Sequence, residues 1–203
     1  MTDRFQNFAD LSTEMVDGVD YRIRAEDRGS AVVILAPHGG TIEPETGLIA
    51  EAIAGRDLSL YLFEALKAGA HGDFHITSHR FDEPQALALV GGTEGAVAVH
   101  GRKDDGSDTV WLGGRDVAMR DAIGAALRRA GFGAEVNTTL PGLHETNICN
   151  RTRKGAGVQL ELSRSLRRRL AQDANFLERF SRAVRSALQP DEAGPAGGPA
   201  EGA

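Results

Sequence analysis

The sequence feature that most constrains the fold is an alternation of short β-branched runs with segments of helical periodicity. Residues 31–36 (AVVILA) are continuously apolar, which is typical of a strand buried on both faces of a sheet. Residues 45–55 follow with apolar side chains at helical spacing and end at a glycine. Strands that alternate with helices favour a mixed, mainly parallel sheet flanked by helices on both faces. The sequence therefore predicts an α/β fold.

The same alternation continues along the chain. Further strands are predicted at residues 58–63, 74–78, 96–100, 109–112, 134–137 and 158–162. Further helices are predicted at residues 84–89, 115–130 and 176–188. Residues 189–203 are rich in proline, glycine and alanine and lack an apolar anchor, which predicts a disordered tail. We therefore expect one domain over residues 1–188, followed by that tail.

Composition and charge exclude several classes of protein. The chain has 203 residues, one cysteine and a formal net charge of -6. One cysteine excludes an internal disulfide framework and a Cys-rich zinc module. No apolar run approaches the roughly 20 residues that span a bilayer, and the acidic N-terminus does not resemble a signal peptide. We expect a monomer in the cytoplasm with no membrane partner. The arginine-rich segment after residue 163 lacks interleaved aromatic residues, which favours a solvated helix face over nucleic-acid binding.

A histidine and a glutamate flank a glycine turn after the first predicted buried strand. His38 ends this strand, Gly39 and Gly40 permit a tight turn, and Glu43 returns a carboxylate five positions later. Ligands of α/β sheets bind at the carboxyl ends of strands. An imidazole and a carboxylate suit Zn²⁺, which catalytic sites hold through three protein ligands. The alternative is that His38 only hydrogen-bonds to the backbone beside the turn.

His100 is the favoured third ligand. It ends a second strand and precedes Gly101, just as His38 precedes a glycine. Two histidines at strand ends can converge in one crevice. His144 lies in a predicted loop and remains a competitor, with a surface or substrate-facing position as its other interpretation.

Three more histidines, His71, His75 and His79, recur every four residues. Their neighbours favour an extended chain rather than a helix. In a strand, positions four apart are separated by roughly 13 Å, at about 3.3 Å per residue. On that interpretation these histidines cannot share one metal ion.

Glu161 is the candidate general base. Hydrolysis of an amide at a metal needs a group that carries a proton from the attacking water. Glu161 lies near the carboxyl end of a predicted strand, where burial is costly unless its carboxylate faces a polar cavity. The alternative is simple amphipathic alternation, with Gln159, Glu161 and Ser163 on a solvent-exposed face.

Three residues are candidates for binding a substrate carboxylate. Asn150 and Arg151 form a planar, multiple hydrogen-bond donor set in a predicted loop. Arg115 begins a predicted helix, where an anion also binds favourably, although an ordinary ion pair with Asp116 or a neighbour is the favoured interpretation of this residue. The lone Cys149 between these motifs is interpreted as a small buried hydrophobe rather than a nucleophile.

Taken together, four segments resemble the poly-γ-glutamate hydrolase family, in the family's order. They are HGGTIE, VAVHG, NICNR and VQLELS, and they extend from residue 38 to residue 163. The resemblance implies an α/β zinc amidohydrolase fold related to metallocarboxypeptidases. It implies one Zn²⁺ per chain, with the ligands His38, Glu43 and His100. It also implies that Glu161 is the general base and that Asn150 and Arg151 hold a substrate carboxylate.

The activity that the resemblance implies is zinc-dependent hydrolysis of γ-glutamyl amide bonds in poly-γ-glutamate. This polymer has one free carboxylate per unit. The resemblance therefore implies that Arg151, together with Arg115, binds a substrate carboxylate. The spacing from His38 to Glu43 exceeds that of carboxypeptidases, so exopeptidase specificity is not implied. Two alternatives remain open. One is an amidase for small acidic N-acyl amino acids or γ-glutamyl peptides. The other is a non-catalytic, metal-binding, phage-associated protein, against which the presence of Glu161 argues.

Overall fold

The computed structural model describes residues 3–67 and 71–188, and within these ranges seven strands form one mixed sheet. The strands are β1 (Tyr21–Glu26), β2 (Val32–Gly40), β3 (Ser59–Ala65), β4 (Gly95–Arg102), β5 (Val110–Gly114), β6 (Ala134–Val136) and β7 (Val158–Ser163). Their order in the sheet is β1-β3-β2-β4-β7-β5-β6. The pairs β2–β3, β2–β4, β4–β7 and β5–β6 are parallel, whereas β1–β3 and β5–β7 are antiparallel.

Helices cover both faces of this sheet. They are α1 (Phe8–Glu14), α2 (Thr46–Ala54), α3 (His71–Phe74), α4 (Pro84–Gly91), α5 (Val117–Arg129), α6 (Arg164–Gln172) and α7 (Ala174–Ser186), with a 3₁₀ turn at Ile148–Asn150. Side-chain caps begin several of them: Asp116 accepts a hydrogen bond in the first turn of α5, and Ser163 and Asp173 do so in α6 and α7. None of these helices is long and apolar enough to cross a membrane.

The central strands are buried on both faces. In β2, Ile34 and Ala36 pack with α2, α6 and α7 on one side of the sheet. Val33 and Leu35 pack on the other side with residues of α1, α4 and the 3₁₀ turn. Since neither face of β2 meets solvent, its continuous apolar run has a direct physical cause. The predicted α/β class, with a mainly parallel sheet between helices, is confirmed.

Several local predictions were wrong. Residues 74–78 do not form a strand: α3 ends at Phe74, and the chain continues without regular structure into a turn. The elements β1, α1 and α6 were not predicted. β1 pairs antiparallel to β3 at the edge of the sheet, so its partly polar sequence does not show the pattern of a buried strand. The tail predicted at residues 189–203 lies outside the described residues.

Three neighbouring parallel strands place the candidate site. β2, β4 and β7 are adjacent, so their carboxyl ends meet at one edge of the sheet. β2 does not end at His38 but continues to Gly40, with a shift in its register against β3. Gly40 has φ 64°, and a Cβ there would lie 2.1 Å from the carbonyl oxygen of Ala65. Glycine is therefore required where the chain leaves the strand.

Candidate metal centre and active site

His38, Glu43 and His100 converge at the carboxyl ends of β2 and β4. The Nδ1 atoms of His38 and His100 are 3.2 Å apart. His38 Nδ1 lies 3.2 Å from Glu43 Oε1, and His100 Nδ1 lies 3.7 Å from Glu43 Oε2. All three residues are buried. The structure thus brings together the three residues predicted as metal ligands.

Backbone hydrogen bonds fix the carboxylate of Glu43. Its own N–H donates to the carbonyl of His38 over 2.8 Å, which closes the turn after β2. The N–H of Gly101, at the end of β4, donates to Glu43 Oε2 over 2.7 Å. One carboxylate oxygen is therefore held by the neighbouring strand, and Oε1 faces His38. This arrangement needs the carboxyl ends of both β2 and β4, so it depends on the order of the strands in the sheet.

The three residues fit a metal ion. A tetrahedral site with bonds of about 2.0–2.2 Å separates its ligand atoms by roughly 3.4 Å, close to the spacings found here. His38 Nε2 is 2.8 Å from the carbonyl oxygen of Ile76 and donates to it, which turns Nδ1 toward His100 and Glu43. A cation between these atoms would contact all three side chains. His100 Nε2 is also buried without a hydrogen-bond partner in the described residues.

The charges of the cluster are mutually dependent. Burial acts to raise the pKa of Glu43, but His38 and His100 hold this pKa well below its ordinary value. Burial likewise acts to lower the pKa of His100, yet interactions with Glu43 and Glu161 raise it above 6.5. The site therefore favours an ionised carboxylate beside a positive group, which is the electrostatic condition that a divalent cation satisfies.

Glu161 faces the same cavity from β7. It is the register partner of His100, and Gln159 Nε2 donates to its Oε1 over 3.1 Å. Burial raises the pKa of Glu161; His100 opposes this shift and Glu43 adds to it. Gln159, Glu161 and Ser163 are 4%, 8% and 0% exposed, so they do not form a solvent-exposed strand face. A buried carboxyl with a raised pKa beside a cavity has the properties expected of a general base.

A cavity of about 650 Å³ opens over these groups. His38, Glu43, His100 and Glu161 all line it. Other lining residues are Lys103, His79, His144, Leu140, Leu143 and Gln159. The rings of His79 and His144 face each other with centroids 4.8 Å apart, and both residues are exposed. His144 therefore lies in the cavity wall and not among the metal-ligand candidates.

The structure does not bring Asn150, Arg151 and Arg115 into this cavity. The buried side chain of Asn150 makes four hydrogen bonds with backbone groups and accepts a fifth from the thiol of Cys149, so it has no capacity left for a substrate. Two of these bonds hold the carbonyls of the loop at residues 140–147. Arg151 Nε donates to the carbonyl of Thr146 in the same loop, over 3.1 Å. Arg115 is exposed. Asn150 and Arg151 therefore hydrogen-bond to the loop that forms the cavity wall, but they do not line the cavity themselves.

Two further residues that the sequence singled out, Cys149 and Arg167, are both buried. Cys149 is buried, and burial raises the pKa of its thiol to about 12, which agrees with its interpretation as a small buried hydrophobe. Arg167 belongs to the arginine-rich segment predicted to be solvated, but it is only 3% exposed. Its guanidinium contacts Gly101 and donates to the carbonyl of Pro44, the residue after Glu43.

His75 is a cavity residue that the sequence analysis set aside. Its ring packs on that of His38 with centroids 4.2 Å apart, and its Nε2 lies 4.0 Å from Glu43 Oε1. Ligand atoms of His38, Glu43 and His75 all lie within 4.8 Å of one another. Burial and the charge of His38 lower the pKa of His75 to about 4. The prediction of a strand over residues 74–78 hid this contact; His75 instead lies directly after α3.

Comparisons with known proteins agree with this architecture. A family model described as poly-gamma-glutamate hydrolase matches residues 5–188. The SPbeta prophage-derived protein YoqZ of Bacillus subtilis strain 168 is 37% identical over 171 residues, 83% of this chain and 61% of YoqZ. YmaC of the same strain is 38% identical over 183 residues, 87% of this chain and 76% of YmaC. The chain therefore spans about three fifths of the length of YoqZ.

Two solved structures resemble the whole fold. A bacteriophage poly-gamma-glutamate hydrolase matches with a TM-score of 0.87 and 32% identity, over 92% of this chain and 97% of that chain. A zinc-free form of YndL matches with a TM-score of 0.82 and 31% identity, over 92% of this chain and 98% of that chain. On the extent of the family match and these identities, the chain belongs to the poly-γ-glutamate hydrolase family.

Proposed function

We propose that this protein is a zinc-dependent hydrolase of the γ-glutamyl amide bonds of poly-γ-glutamate. The observation that carries the proposal is the convergence of His38, Glu43 and His100 beside Glu161 in one cavity. The family match supports the substrate, and the zinc-free form of YndL supports zinc as the metal.

His38 Nδ1, a carboxylate oxygen of Glu43 and His100 Nδ1 would hold the metal, and three protein ligands are the number typical of catalytic zinc sites. When bound, zinc supplies polarisation of the scissile carbonyl and a lowered pKa for water. The chain contributes rigidity: Gly101 N–H fixes Glu43, and the carbonyl of Ile76 fixes the tautomer of His38.

Glu161 moves the proton. It accepts one from the attacking water as the new C–O bond forms, and it passes that proton to the amide nitrogen as the C–N bond breaks. The products are a carboxylate and an amine, so no redox partner is needed. Gln159 donates to Oε1 of Glu161 and so orients its carboxylate.

Substrate carboxylates bind at the mouth of the cavity rather than at Arg151 or Arg115. Lys103 follows β4 and lines the cavity, and it makes no ion pair with other described residues. The paired rings of His79 and His144 add hydrogen-bonding groups at the same opening. Asn150 and Arg151 contribute indirectly, because they hold the loop that forms this wall.

The variant Glu161→Gln tests this assignment, with Glu135→Gln, an exposed residue of β6, as the matched control. We expect the wild type to shorten poly-γ-glutamate, measured by the size distribution of its products, and a chelator to abolish this activity. Glu161→Gln loses at least about 100-fold in rate but retains zinc. Full activity in Glu161→Gln, or in metal-free wild type, contradicts the proposal. Release of product only from dipeptides indicates an amidase for small γ-glutamyl substrates instead.

A further inference from the structure

The loop at residues 140–147 exposes two leucines beside the cavity. Leu140 and Leu143 are 39% and 56% exposed, and both line the cavity of about 650 Å³. Cavities that bind small ligands combine apolar walls with a few polar groups at defined positions. The proposed mechanism gives these two residues, named here the leucine wall, no role.

The backbone of this loop directs its carbonyl groups toward the protein. The carbonyls of residues 140–142 and 144 all accept hydrogen bonds from protein donors, namely Gln159 Nε2, the N–H of Gly114 and Asn150 Nδ2. The loop is therefore anchored at four positions. Because these backbone acceptors are engaged within the protein, the leucine wall is mainly an apolar surface.

Glu161 lies between the leucine wall and Lys103. Along one face of β7, Gln159 and Ser163 are the neighbours of Glu161 on either side. The loop packs on Gln159, which donates to one of its carbonyls over 3.1 Å. Ser163 pairs in register with the residue directly before Lys103. An apolar surface and a cation therefore flank the candidate base on opposite sides.

Lys103 is available to bind an anion. It is exposed and lines the cavity. The two carboxylates that follow it in the chain are engaged elsewhere: Asp105 pairs with Arg102 over 2.9 Å, and Asp104 accepts from the N–H of Ser165 over 2.8 Å. Lys103 makes no ion pair with any residue that the structure describes.

The two linkages of glutamate differ in the polar groups that surround the scissile bond. In a γ-linked chain, two bare methylenes follow the scissile carbonyl, and the carbon on the leaving nitrogen bears a carboxylate. In an α-linked chain, the carbon next to the scissile carbonyl bears an amide nitrogen, and the carbon on the leaving nitrogen bears an amide carbonyl. Placing an amide against apolar side chains without a hydrogen-bond partner is costly. An apolar surface on the acyl side and a cation on the amine side therefore favour the γ linkage.

We propose that the leucine wall and Lys103 determine the preference for γ-linked over α-linked glutamate and fix the direction in which the chain binds. The leucine wall packs on the two methylenes of the acyl unit. Lys103 binds the carboxylate beside the leaving nitrogen, and Glu161 faces the scissile bond between them. This inference rests on the proposed function and deepens it, because it concerns the linkage that the same site cleaves.

Oligomers of γ-linked and α-linked glutamate of equal length test the leucine wall through the ratio of their kcat/KM values. If the α-linked oligomer is not cleaved, its inhibition constant relative to the KM of the γ-linked oligomer replaces this ratio. The wild type should prefer the γ linkage by at least about tenfold. Leu143→Asn preserves the size of the side chain but offers hydrogen bonds to an amide, so the preference should fall by at least about fivefold. Leu140→Asn repeats the test, whereas Leu143→Met and Leu48→Asn, at an exposed position of α2, should keep the preference.

Two substrates that differ in the amine unit test Lys103. In one, glutamate follows the scissile bond; in the other, 4-aminobutyrate does, and the carbon on the leaving nitrogen then lacks its carboxylate. Lys103→Met should lower kcat/KM about fivefold on the first substrate and less than twofold on the second. Lys154→Met, at an exposed lysine that does not line the cavity, should affect neither.

Different results overturn different parts of the inference. An unchanged preference in both Leu143→Asn and Leu140→Asn overturns the role of the leucine wall. Equal losses of Lys103→Met on the two amine units overturn the direction of binding. A wild type that cleaves both linkages equally well overturns this inference and leaves the proposed function intact. A wild type that cleaves no γ-glutamyl bond overturns the proposed function itself, and this inference with it.

Discussion

At the scale of single residues, Gln159 links the candidate base to the wall of the cavity. Its Nε2 donates to Glu161 Oε1 and to the carbonyl of Leu140, each over 3.1 Å. Its Oε1 accepts from Asn147 Nδ2 over 2.9 Å. One buried amide thus orients the carboxylate of the candidate base and also anchors the loop at residues 140–147. Alternation along β7 predicted a polar face here, but not that this face would be enclosed.

The variant Gln159→Leu should impair the orientation of Glu161 and the anchoring of the loop without weakening metal binding. We expect kcat/KM to fall by about tenfold, because Glu161 loses the donor that orients it. Asn147 loses its acceptor in a buried site, so the free energy of unfolding should fall by about 1–3 kcal/mol. Kinetics and urea denaturation measure these effects, with Gln172→Leu at the exposed end of α6 as control. A large loss of zinc affinity would contradict this role.

Asp3 should make the stability of the protein depend on acid pH. Burial acts to raise its pKa, but hydrogen bonds from Thr77 and His75 lower it from 3.8 to about 2 in the folded chain. A lowered carboxyl pKa stabilises the folded state above the unfolded pKa, and this contribution is lost as the pH falls through the folded pKa. The stability difference between wild type and Asp3→Asn should therefore be largest above about pH 4 and vanish near pH 2. A difference independent of pH, measured by denaturant midpoints, would rule this out.

At the scale of elements, α6 braces the turn that carries Glu43. Arg167 is buried against Gly101, where a Cβ would come within 2.6 Å of its guanidinium. Its Nε donates to the carbonyl of Leu162 over 3.3 Å, and it also donates to the carbonyl of Pro44. The arginine-rich composition of α6 predicts a solvated face, and that prediction holds for exposed neighbours such as Arg168 but not for Arg167.

Arg167→Met should therefore weaken metal binding, although the hydrogen bonds of Arg167 go to backbone carbonyls and not to a metal-ligand side chain. Loss of the bond to Pro44 frees the turn that positions Glu43, and we expect zinc affinity to fall by about 10–100-fold. Competition with a chelator measures this affinity. Arg168→Met, one position along the same helix, is the control and should bind zinc like the wild type. Equal affinities in the two variants would contradict the bracing role.

The sequence predicted elements best where packing alone determines them. β2 is buried along its full apolar run, and α2 buries Ile49, Ala50 and Ile53 although Leu48 is exposed, so residues 31–36 and 45–55 indicated both elements correctly. Residues 74–78 were mistaken for a strand because Phe74 and Ile76 are apolar, but Phe74 is buried at the end of α3 and Ile76 is buried in the loop that follows. Because of that error, the position of His75 beside His38 was not predicted. No local periodicity encodes a loop that is held by Asp3, about 70 residues earlier in the chain.

At the scale of the whole molecule, the sheet topology explains why the proximity of His38 and His100 could be predicted from the sequence, whereas the positions of Asn150 and Arg151 could not. His38 and His100 lie at the ends of adjacent parallel strands, so a rule about strand ends brings them together. Asn150 and Arg151 lie in and after a 3₁₀ turn, whose path relative to the sheet depends on long-range contacts. Their side chains hold the loop at residues 140–147 instead of facing the cavity.

Metal binding should stabilise the whole fold, because its ligands come from different strands. At a free zinc concentration of about 100 times the dissociation constant, we expect the free energy of unfolding to rise by about 2.7 kcal/mol. Denaturant unfolding with and without a chelator measures this increase. His100→Ala removes one ligand and should abolish most of it. The same zinc-dependent increase in His100→Ala would show that the metal binds elsewhere.

Anomalous diffraction at the zinc edge from zinc-loaded crystals would locate the metal itself. We expect one zinc peak per chain, within about 2.0–2.2 Å of His38 Nδ1, a carboxylate oxygen of Glu43 and His100 Nδ1. His75 Nε2 should lie beyond bonding distance of that peak. A peak bonded to His75 in place of His100, or no peak at this edge of the sheet, would refute the proposed metal centre.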